Sequence, residues 1–216
     1  MDEIRYAFFD LDGTLVDSMY YWRNILNEYL AQNGEGPITE EHQRALDRLP
    51  FASGVQYFRE HYTSDWAQAF TIEKGKAILT AHYQNDVLPR KGIPALIHSL
   101  GESGTRMAVI TATPRDLAAQ CLERCELAQY FSFILDGEGF PNGKHTPDVF
   151  LHAAERLGCK VEEAWMFEDA LYSARTAKAL GMRVAVVEDK YQSHHKDKLM
   201  EMADRYYTDG VTVRVK

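Results

Sequence analysis

Five short runs of apolar residues are spaced along the chain, and each run is continuous rather than alternating with polar residues. Continuous apolar runs of this length are typical of strands buried on both faces of a parallel sheet. Helical segments separate the later runs, which predicts an α/β fold with a doubly wound parallel sheet. The predicted strands are residues 6–9, 107–110, 131–135, 164–167 and 184–187, and the predicted helices are residues 116–127, 148–157 and 171–180.

The long interval after the first predicted strand contains no convincing strand and is expected to form about four helices. Its predicted breaks lie near Asn33–Gly34, Leu49–Pro50 and Thr63–Ser64. We therefore predict two domains: a Rossmann-like core formed by residues 1–16 and 88–216, and an inserted all-helical cap formed by residues 17–87. Ligands of such sheets bind beyond the carboxyl ends of the strands, so we expect the insertion to roof the binding site.

Composition and charge narrow the classes of partner. The chain has 216 residues, of which 45% are hydrophobic, and a formal net charge of -8. The negative charge argues against a nucleic-acid-binding surface. The sequence shows no charged-then-apolar leader and no apolar run of membrane-spanning length, so we expect a cytoplasmic protein with no membrane partner. The pattern makes no prediction about the oligomeric state.

Two carboxylates follow the first predicted strand, at Asp10 and Asp12. Residues two apart on a strand point to roughly the same side, and Gly13 permits a sharp backbone turn after them. A bound cation would offset the cost of placing two carboxylates together, and oxygen ligands favour Mg²⁺. One carboxylate could attack phosphorus while the second moves protons. For an isolated D-x-D, helix-capping aspartates at a polar strand end would be the better interpretation.

Three further strand ends or loops carry candidate groups. The second predicted strand ends at Thr111, and we expect Thr113 to cap the following helix with Pro114 as its first residue, which would leave free amides for an anion. Lys144 lies in a loop that precedes a helix whose expected cap is Thr146. Such a lysine would offset the repulsion between a carboxylate and a phosphate dianion. The fourth predicted strand ends in a second acidic pair, Glu168 and Asp169.

Four strings resemble the motifs of the haloacid dehalogenase-like superfamily, in its phosphatase and β-phosphoglucomutase-like subgroup with a helical cap. They are D-L-D-G-T-L-V-D-S at residue 10, V-I-T-A-T-P at residue 109, G-K-H-T-P-D-V-F at residue 143 and E-D at residue 168. The resemblance implies that Asp10 is the nucleophile and Asp12 the general acid/base. It also implies a Mg²⁺ site formed by Asp10, the Asp12 carbonyl and Asp169, with Glu168 as an outer partner. The phosphate-binding residues that it implies are Leu11, Asp12, Thr111, Ala112 and Lys144.

The chain departs from the family pattern at three positions. His145 stands where the family usually has proline, which we expect to loosen the Lys144 loop slightly. Ala170 and Ser173 replace a serine and a glycine that usually follow the acidic pair. These two changes put the helix packing in question, but they leave the predicted metal ligands unchanged.

Asp12 favours phosphate chemistry over dehalogenation, because dehalogenases of the superfamily lack the second aspartate. The expected function is hydrolysis of a small phosphorylated metabolite, and the alternative is a sugar-phosphate mutase of the β-phosphoglucomutase type. Such mutases carry a histidine soon after the D-S pair and a cap loop resembling L-K-G-x-x-R, whereas this chain has aromatic residues at 20–22 and lacks that loop at 46–54. A phosphonate hydrolase would need a cap lysine, for which Lys74 and Lys76 are weak candidates. A binding protein without turnover is a further alternative, although all four motifs are intact.

Overall fold

The computed structural model describes residues 3–47, 49, 51–137, 139–140 and 142–208, together with the backbone of 211–215. The chain divides into two compact units. We call Met1–Ser18 with Val87–Lys216 the core unit, and Met19–Asp86 the helical unit. The use of the helical insertion as a cap stays a prediction.

The core unit is built on one sheet of seven strands among the described residues, in the spatial order β3-β2-β1-β4-β5-β6-β7. The first six strands in this order are parallel, and β7 pairs antiparallel with β6. The strands are β1 (Tyr6–Phe9), β2 (Arg106–Ile110), β3 (Phe131–Leu135), β4 (Ala164–Glu168), β5 (Arg183–Val187), β6 (Arg205–Thr208) and β7 (Val211–Val215). The predicted α/β class and all five predicted strands are confirmed.

Helices cover the sheet and bury its apolar residues. Every residue of β4 is buried, and one core cluster joins residues of the central strands to residues of the flanking helices, including Phe8, Met166, Phe150 and Ala174. This is why the strand sequences are continuously apolar. The helices of the core unit are α6 (Ile93–Glu102), α7 (Arg115–Arg124), α8 (Asp148–Leu157), α9 (Leu171–Ala179) and α10 (Lys196–Met202).

The predicted helix at 148–157 has its predicted bounds, whereas two other helices differ. The helix predicted to continue to residue 127 ends at Arg124, because Glu126 adopts a left-handed conformation with φ of 56°. The helix predicted to end at residue 180 ends at Ala179. Helices α6 and α10 and strand β6 were not among the predicted elements.

The helical unit contains five helices in its described part, where about four were expected. They are α1 (Met19–Gln32), α2 (Glu40–Leu46), α3 (Phe51–His61), the single turn α4 (Asp65–Gln68) and α5 (Ile72–Asn85). The additional break occurs where Phe70 is buried and Thr71 caps α5 by accepting a hydrogen bond from the Lys74 amide. Of the predicted break at Leu49–Pro50, Pro50 lies outside the described residues, as does Arg48 of the 46–54 segment.

The chain leaves the core unit and re-enters it at neighbouring points. The Asp17 amide donates to the Leu88 carbonyl at 2.9 Å, and the Arg90 amide donates to the Leu15 carbonyl at 3.0 Å. Val16 and Pro89 form an antiparallel bridge between these two bonds. Among the described residues, no helix combines the length and the apolar character that crossing a membrane requires.

Candidate active site

The carboxyl end of β1 delivers the first two acidic residues into a tight loop. The Asp10 amide still donates to the Phe167 carbonyl of β4, at 3.0 Å, so this residue belongs to the frame of the sheet. The amides of Leu15 and Val16 then fold back onto the Leu11 carbonyl, at 2.9 and 3.0 Å. Gly13 makes this turn possible with φ of 82°, a conformation that glycine adopts without steric cost.

Two hydroxyl groups fix the orientation of the Asp12 side chain. The Ser18 Oγ donates to Asp12 Oδ1 at 2.6 Å, and the Thr113 Oγ1 donates to Asp12 Oδ2 at 2.7 Å. The prediction that Thr113 caps the helix after β2 is therefore wrong, because its hydroxyl faces Asp12 instead. Asp12 itself is partly exposed, whereas Asp10 is buried.

The loop after β2 differs from the expected anion-binding helix start. Helix α7 begins at Arg115, with Pro114 before it rather than as its first residue. The Arg115 amide donates to Asp136 Oδ2 at 2.8 Å, so this first helical amide already has a partner. Thr111 is buried and its Oγ1 accepts from the Thr113 amide at 3.0 Å, which leaves its hydroxyl proton for donation to another group. Ala112 is exposed beside it.

Lys144 lies in a 3₁₀ turn formed by Gly143–His145, and its side chain is buried. Its ammonium is paired with Asp10 Oδ1 and with Glu168 Oε1, the latter at 2.6 Å. Burial acts to lower the pKa of Lys144, but the two carboxylates outweigh it and hold the pKa well above its ordinary value. The loop lysine is thus a fixed positive charge between two strand ends.

The second acidic pair closes the cluster at the end of β4. Glu168 Oε2 accepts from the amides of Asp169 and Ala170, at 2.8 and 2.9 Å, while its other oxygen meets Lys144. Burial acts to raise the pKa of Glu168, but the Lys144 ammonium and these amides keep the pKa below its ordinary value. Both carboxylate oxygens of Glu168 therefore already have partners.

The cluster carries more negative charge than its lysine offsets. Burial raises the pKa of Asp10 to about 8, against the opposing effect of Lys144. Burial, followed by the charges of Glu168 and Asp10, holds the pKa of Asp169 well above its ordinary value. Ligand oxygens of Asp10, Glu168 and Asp169 lie within 4.8 Å of one another. A divalent cation with oxygen ligands would fit this donor set, because it would offset the excess charge.

The loop that carries Lys144 differs from the prediction at one further point. Helix α8 begins at Asp148 with Pro147 before it, and no side-chain cap is present. Thr146 Oγ1 instead donates to the Asp148 carboxylate at 2.8 Å. The prediction that Thr146 caps this helix through its backbone amides is therefore wrong.

Comparison with known proteins defines the class of this chain. A family model described as haloacid dehalogenase-like hydrolase matches residues 7–187. The chain therefore belongs to the haloacid dehalogenase-like hydrolases, which confirms the resemblance inferred from the motifs.

Named relatives lie within this family. Phosphoglycolate phosphatase 1 of Pseudomonas aeruginosa is 27% identical over 215 residues, which cover 96% of this chain and 77% of the relative. A crystal structure of CbbY from Rhodobacter sphaeroides in complex with phosphate is 26% identical, with a TM-score of 0.74 over 94% of this chain and 93% of that chain. A putative β-phosphoglucomutase from Thermotoga maritima shares the fold, with a TM-score of 0.79, 22% identity and coverage of 96% and 95%.

The sequence did not identify three residues as parts of the site. Ser18 and Thr113 orient Asp12, and Tyr172 stacks against His145 next to Lys144. Ser18 belongs to the first motif, so its position could have indicated a role. Thr113 and Tyr172 carry no local signal, because their contacts are made with distant parts of the chain.

Proposed function

We propose that this hydrolase is a Mg²⁺-dependent phosphatase that releases phosphate from a small phosphorylated metabolite through an aspartyl-phosphate on Asp10. The observation that carries the proposal is the buried cluster in which Lys144 bridges Asp10 and Glu168, with Asp169 alongside. These groups suit phosphoryl transfer, because a nucleophilic carboxylate, a fixed ammonium and a set of cation ligands lie together at the carboxyl ends of the strands. Family membership and the phosphatase relatives support this class of reaction.

The roles of the acidic residues follow from their surroundings. Asp10 and Asp169 would hold the cation directly, together with the backbone carbonyl of Asp12. Glu168 would act as an outer partner, because its oxygens already accept hydrogen bonds from Lys144 and from two amides. When bound, Mg²⁺ would offset charge on the phosphate and on the carboxylates.

Two chemical steps account for turnover. In the first, an Asp10 oxygen attacks phosphorus, the ester P–O bond breaks, and Asp12 gives a proton to the leaving alkoxide. In the second, Asp12 takes a proton from water and the resulting hydroxide attacks the phosphorus of the aspartyl-phosphate. The bond between phosphorus and the Asp10 oxygen breaks, which releases inorganic phosphate and regenerates Asp10. Ser18 and Thr113 hold Asp12 in one orientation for both transfers.

Phosphate binding would use groups around this cluster. Lys144 supplies a positive charge, and Thr111 supplies a hydroxyl whose proton is not needed for its bond to the Thr113 amide. The backbone amides of Leu11, Asp12 and Ala112 are the remaining proposed donors. We propose a sugar phosphate or a phosphoglycolate-like acid as the substrate, since the relatives include a phosphoglycolate phosphatase. A cytoplasmic location, without nucleic-acid or membrane partners, fits the net charge of -8.

A screen of phosphorylated metabolites tests the function. Wild-type protein should release phosphate from at least one sugar phosphate or phosphorylated acid in Mg²⁺, and excess chelator should stop the release. Calcium should restore little activity, because it prefers more ligands and longer bonds. Phosphate release that continues at full rate in chelator would refute the metal assignment.

The same screen separates the hydrolase from the mutase. Incubation with β-glucose 1-phosphate and a bisphosphate primer should yield little glucose 6-phosphate, because the chain lacks the histidine and the cap loop of such mutases. Efficient interconversion would show that a sugar phosphate, rather than water, is the acceptor.

A further inference from the structure

The turn that carries Lys144 is short and its backbone hydrogen bonds are local, including the one that the Gly143 amide donates to the Phe140 carbonyl at 2.8 Å. It consists of the single 3₁₀ turn Gly143–His145, in which the His145 amide donates to the Asn142 carbonyl at 3.0 Å. Gly143 enters the turn with φ of 47°, in the left-handed region. A long lysine side chain has high rotational entropy, so a defined position for its ammonium requires support from outside the turn.

One contact from outside the turn is aromatic and is made with α9. The rings of His145 and Tyr172 are stacked, with centroids 4.1 Å apart and an interplanar angle of 16°. Tyr172 is the second residue of α9, which begins directly after Asp169 and Ala170. The stack therefore joins the residue next to Lys144 to the first turn of the helix that follows the acidic pair.

Tyr172 is partly exposed, and its hydroxyl is in a charged environment. The residue is 39% exposed. The pKa of its hydroxyl is raised to about 12: the Lys144 ammonium acts to lower it, and burial outweighs this effect together with nearby carboxylates. These carboxylates belong to Glu168, Asp10 and Asp169. The hydroxyl is therefore neutral and lies near the ammonium.

We propose that the His145–Tyr172 stack is a positioning device that holds the Lys144 ammonium between Asp10 and Glu168. The inference deepens the proposed function and rests on it. The family usually has proline at position 145, and its ring would stiffen the loop through the backbone. Here the stack stiffens it through a side-chain contact, which opposes the loosening expected from the sequence alone.

Kinetics of three variants test the proposal. His145→Ala and Tyr172→Ala remove the stack, and each should lower kcat/KM by roughly ten- to a hundredfold, because a small displacement of a charged group near the reacting phosphorus has a large effect. Tyr172→Phe keeps the ring and should retain activity within about twofold of wild type, because the contact is between rings. Equal losses in Tyr172→Phe and Tyr172→Ala would overturn the proposal, because the hydroxyl would then be the required group.

A matched control lies in the same unit. Tyr130 contacts the His98 ring, with centroids 6.2 Å apart, just before β3 begins. It therefore lies at the amino-terminal ends of the parallel strands, whereas the site lies at their carboxyl ends. Tyr130→Ala should leave kcat/KM unchanged. A loss in this variant as large as that in Tyr172→Ala would show that removal of any Tyr–His contact disturbs the unit, and would overturn the specific role.

Nuclear magnetic resonance of the lysine ammonium groups gives a readout independent of turnover. Lys144 should give a slowly exchanging ammonium signal in wild type, assigned by its loss in Lys144→Arg. The signal should persist in Tyr172→Phe and broaden or disappear in Tyr172→Ala, whose folding is checked by circular dichroism. His145→Gln replaces His145→Ala if that variant unfolds, and it should lose the signal too. A sharp, unshifted signal in folded Tyr172→Ala would overturn the positioning role, whereas wild type inactive on every phosphate ester would refute only the proposed function.

Discussion

The core unit contains a buried cluster of paired charges, whereas no ion pair among the described residues of the helical unit is buried to the same extent. In the core unit, Lys144, Asp10 and Glu168 are buried and paired with one another. In the helical unit, Arg23 and Asp47 form their pair at the surface, with side chains 41% and 35% exposed. Buried charge is costly unless it is paired, so a buried cluster persists where its chemistry is needed. Surface pairs contribute little to stability.

The interiors of the two units differ in a related way. The site of the core unit depends on groups held at strand ends by the hydrogen bonds of the sheet. The helical unit is packed by aromatic residues such as Phe58, Phe70 and Tyr83. Polar bonds within this packing run from the Trp22 Nε1 to the Tyr83 hydroxyl at 2.8 Å and from the Tyr29 hydroxyl to the Trp66 carbonyl at 2.9 Å. Substitutions at the site of the core unit should therefore change chemistry as well as stability, whereas substitutions among these aromatic residues should change stability.

The largest effect is expected for Asp10→Asn. The amide keeps the shape of the side chain but cannot attack phosphorus, so kcat should fall by at least about a thousandfold while the fold is retained. Steady-state hydrolysis of an aryl phosphate and circular dichroism measure the two quantities. The control is Asp116→Asn, which changes an aspartate of the same unit whose side chain is 91% exposed and should leave kcat unchanged. More than a trace of Mg²⁺-dependent turnover in Asp10→Asn would contradict the covalent route.

The next largest effect is expected for Asp12→Asn, in which kcat should fall by roughly a hundred- to ten-thousandfold, the range typical of a positioned acid/base. Aryl phosphates have good leaving groups and need less protonation, so the second step should become limiting and the phospho-enzyme should accumulate. Intact-protein mass spectrometry after rapid quenching detects the added phosphoryl group. Ser18→Ala and Thr113→Val each remove one hydroxyl bond to Asp12 and should lose less activity than Asp12→Asn. Rapid hydrolysis of the intermediate in Asp12→Asn would remove this residue from the role.

Lys144→Met tests the difference between buried and exposed charge pairs through the free energy of unfolding. It leaves the carboxylates of Asp10, Glu168 and Asp169 together without their lysine, so the free energy of unfolding in chelator should fall by about 3–5 kcal/mol. Mg²⁺ should restore part of the loss. Lys178→Met is the control, because it breaks a partly exposed pair with Asp204 and should cost less than about 1 kcal/mol. Equal losses in the two variants, measured by urea unfolding, would show that burial of the cluster has no special energetic weight.

The smallest effect is expected in the helical unit, at His82. This ring lies between Glu28 and Asp86, at 2.6 and 2.7 Å, and faces the ring of Tyr21. Burial acts to lower the pKa of His82, but the two carboxylates raise it above its ordinary value of 6.5. The stabilisation is therefore fully present below pH 6.5 and is lost as the pH rises through the raised pKa.

His82→Gln should remove this pH dependence. The difference in the free energy of unfolding between wild type and His82→Gln should be largest in mild acid and should shrink toward alkaline pH. Its size should be less than about 1 kcal/mol, because both carboxylates are partly exposed. Thermal melts of both proteins across this pH range measure it. A difference that grows with pH would mean that neutral His82 is the preferred form.

The central strands and the clustered acids could be predicted because local sequence determines them. A continuous apolar run followed by acidic residues, as at Phe9–Asp10 and Phe167–Glu168, predicts both a buried strand and the acidic side chains at its carboxyl end. The carboxyl ends of parallel strands all lie at the same end of the sheet, so the proximity of the two acidic pairs follows from the fold class.

The remaining features depend on contacts between distant segments. Thr113 has the sequence context of a helix cap, yet its hydroxyl donates to Asp12, a partner that local pattern does not indicate. The stack of His145 on Tyr172 likewise joins two separate elements. Strand β6 was missed because only two tyrosines lie between its polar ends, Arg205 and Thr208, so it has no continuous apolar run.

The bridge between Val16 and Pro89 has an evolutionary consequence. It joins the two ends of the excursion that carries the helical unit, since hydrogen bonds to Leu88 and Leu15 lie on either side of it. The entropy of closing a loop grows only slowly with its length, so an excursion with joined ends can be lengthened, shortened or exchanged at little cost to the sheet. Descendants of such a protein can thus exchange this part of the chain while they inherit the same reactive groups.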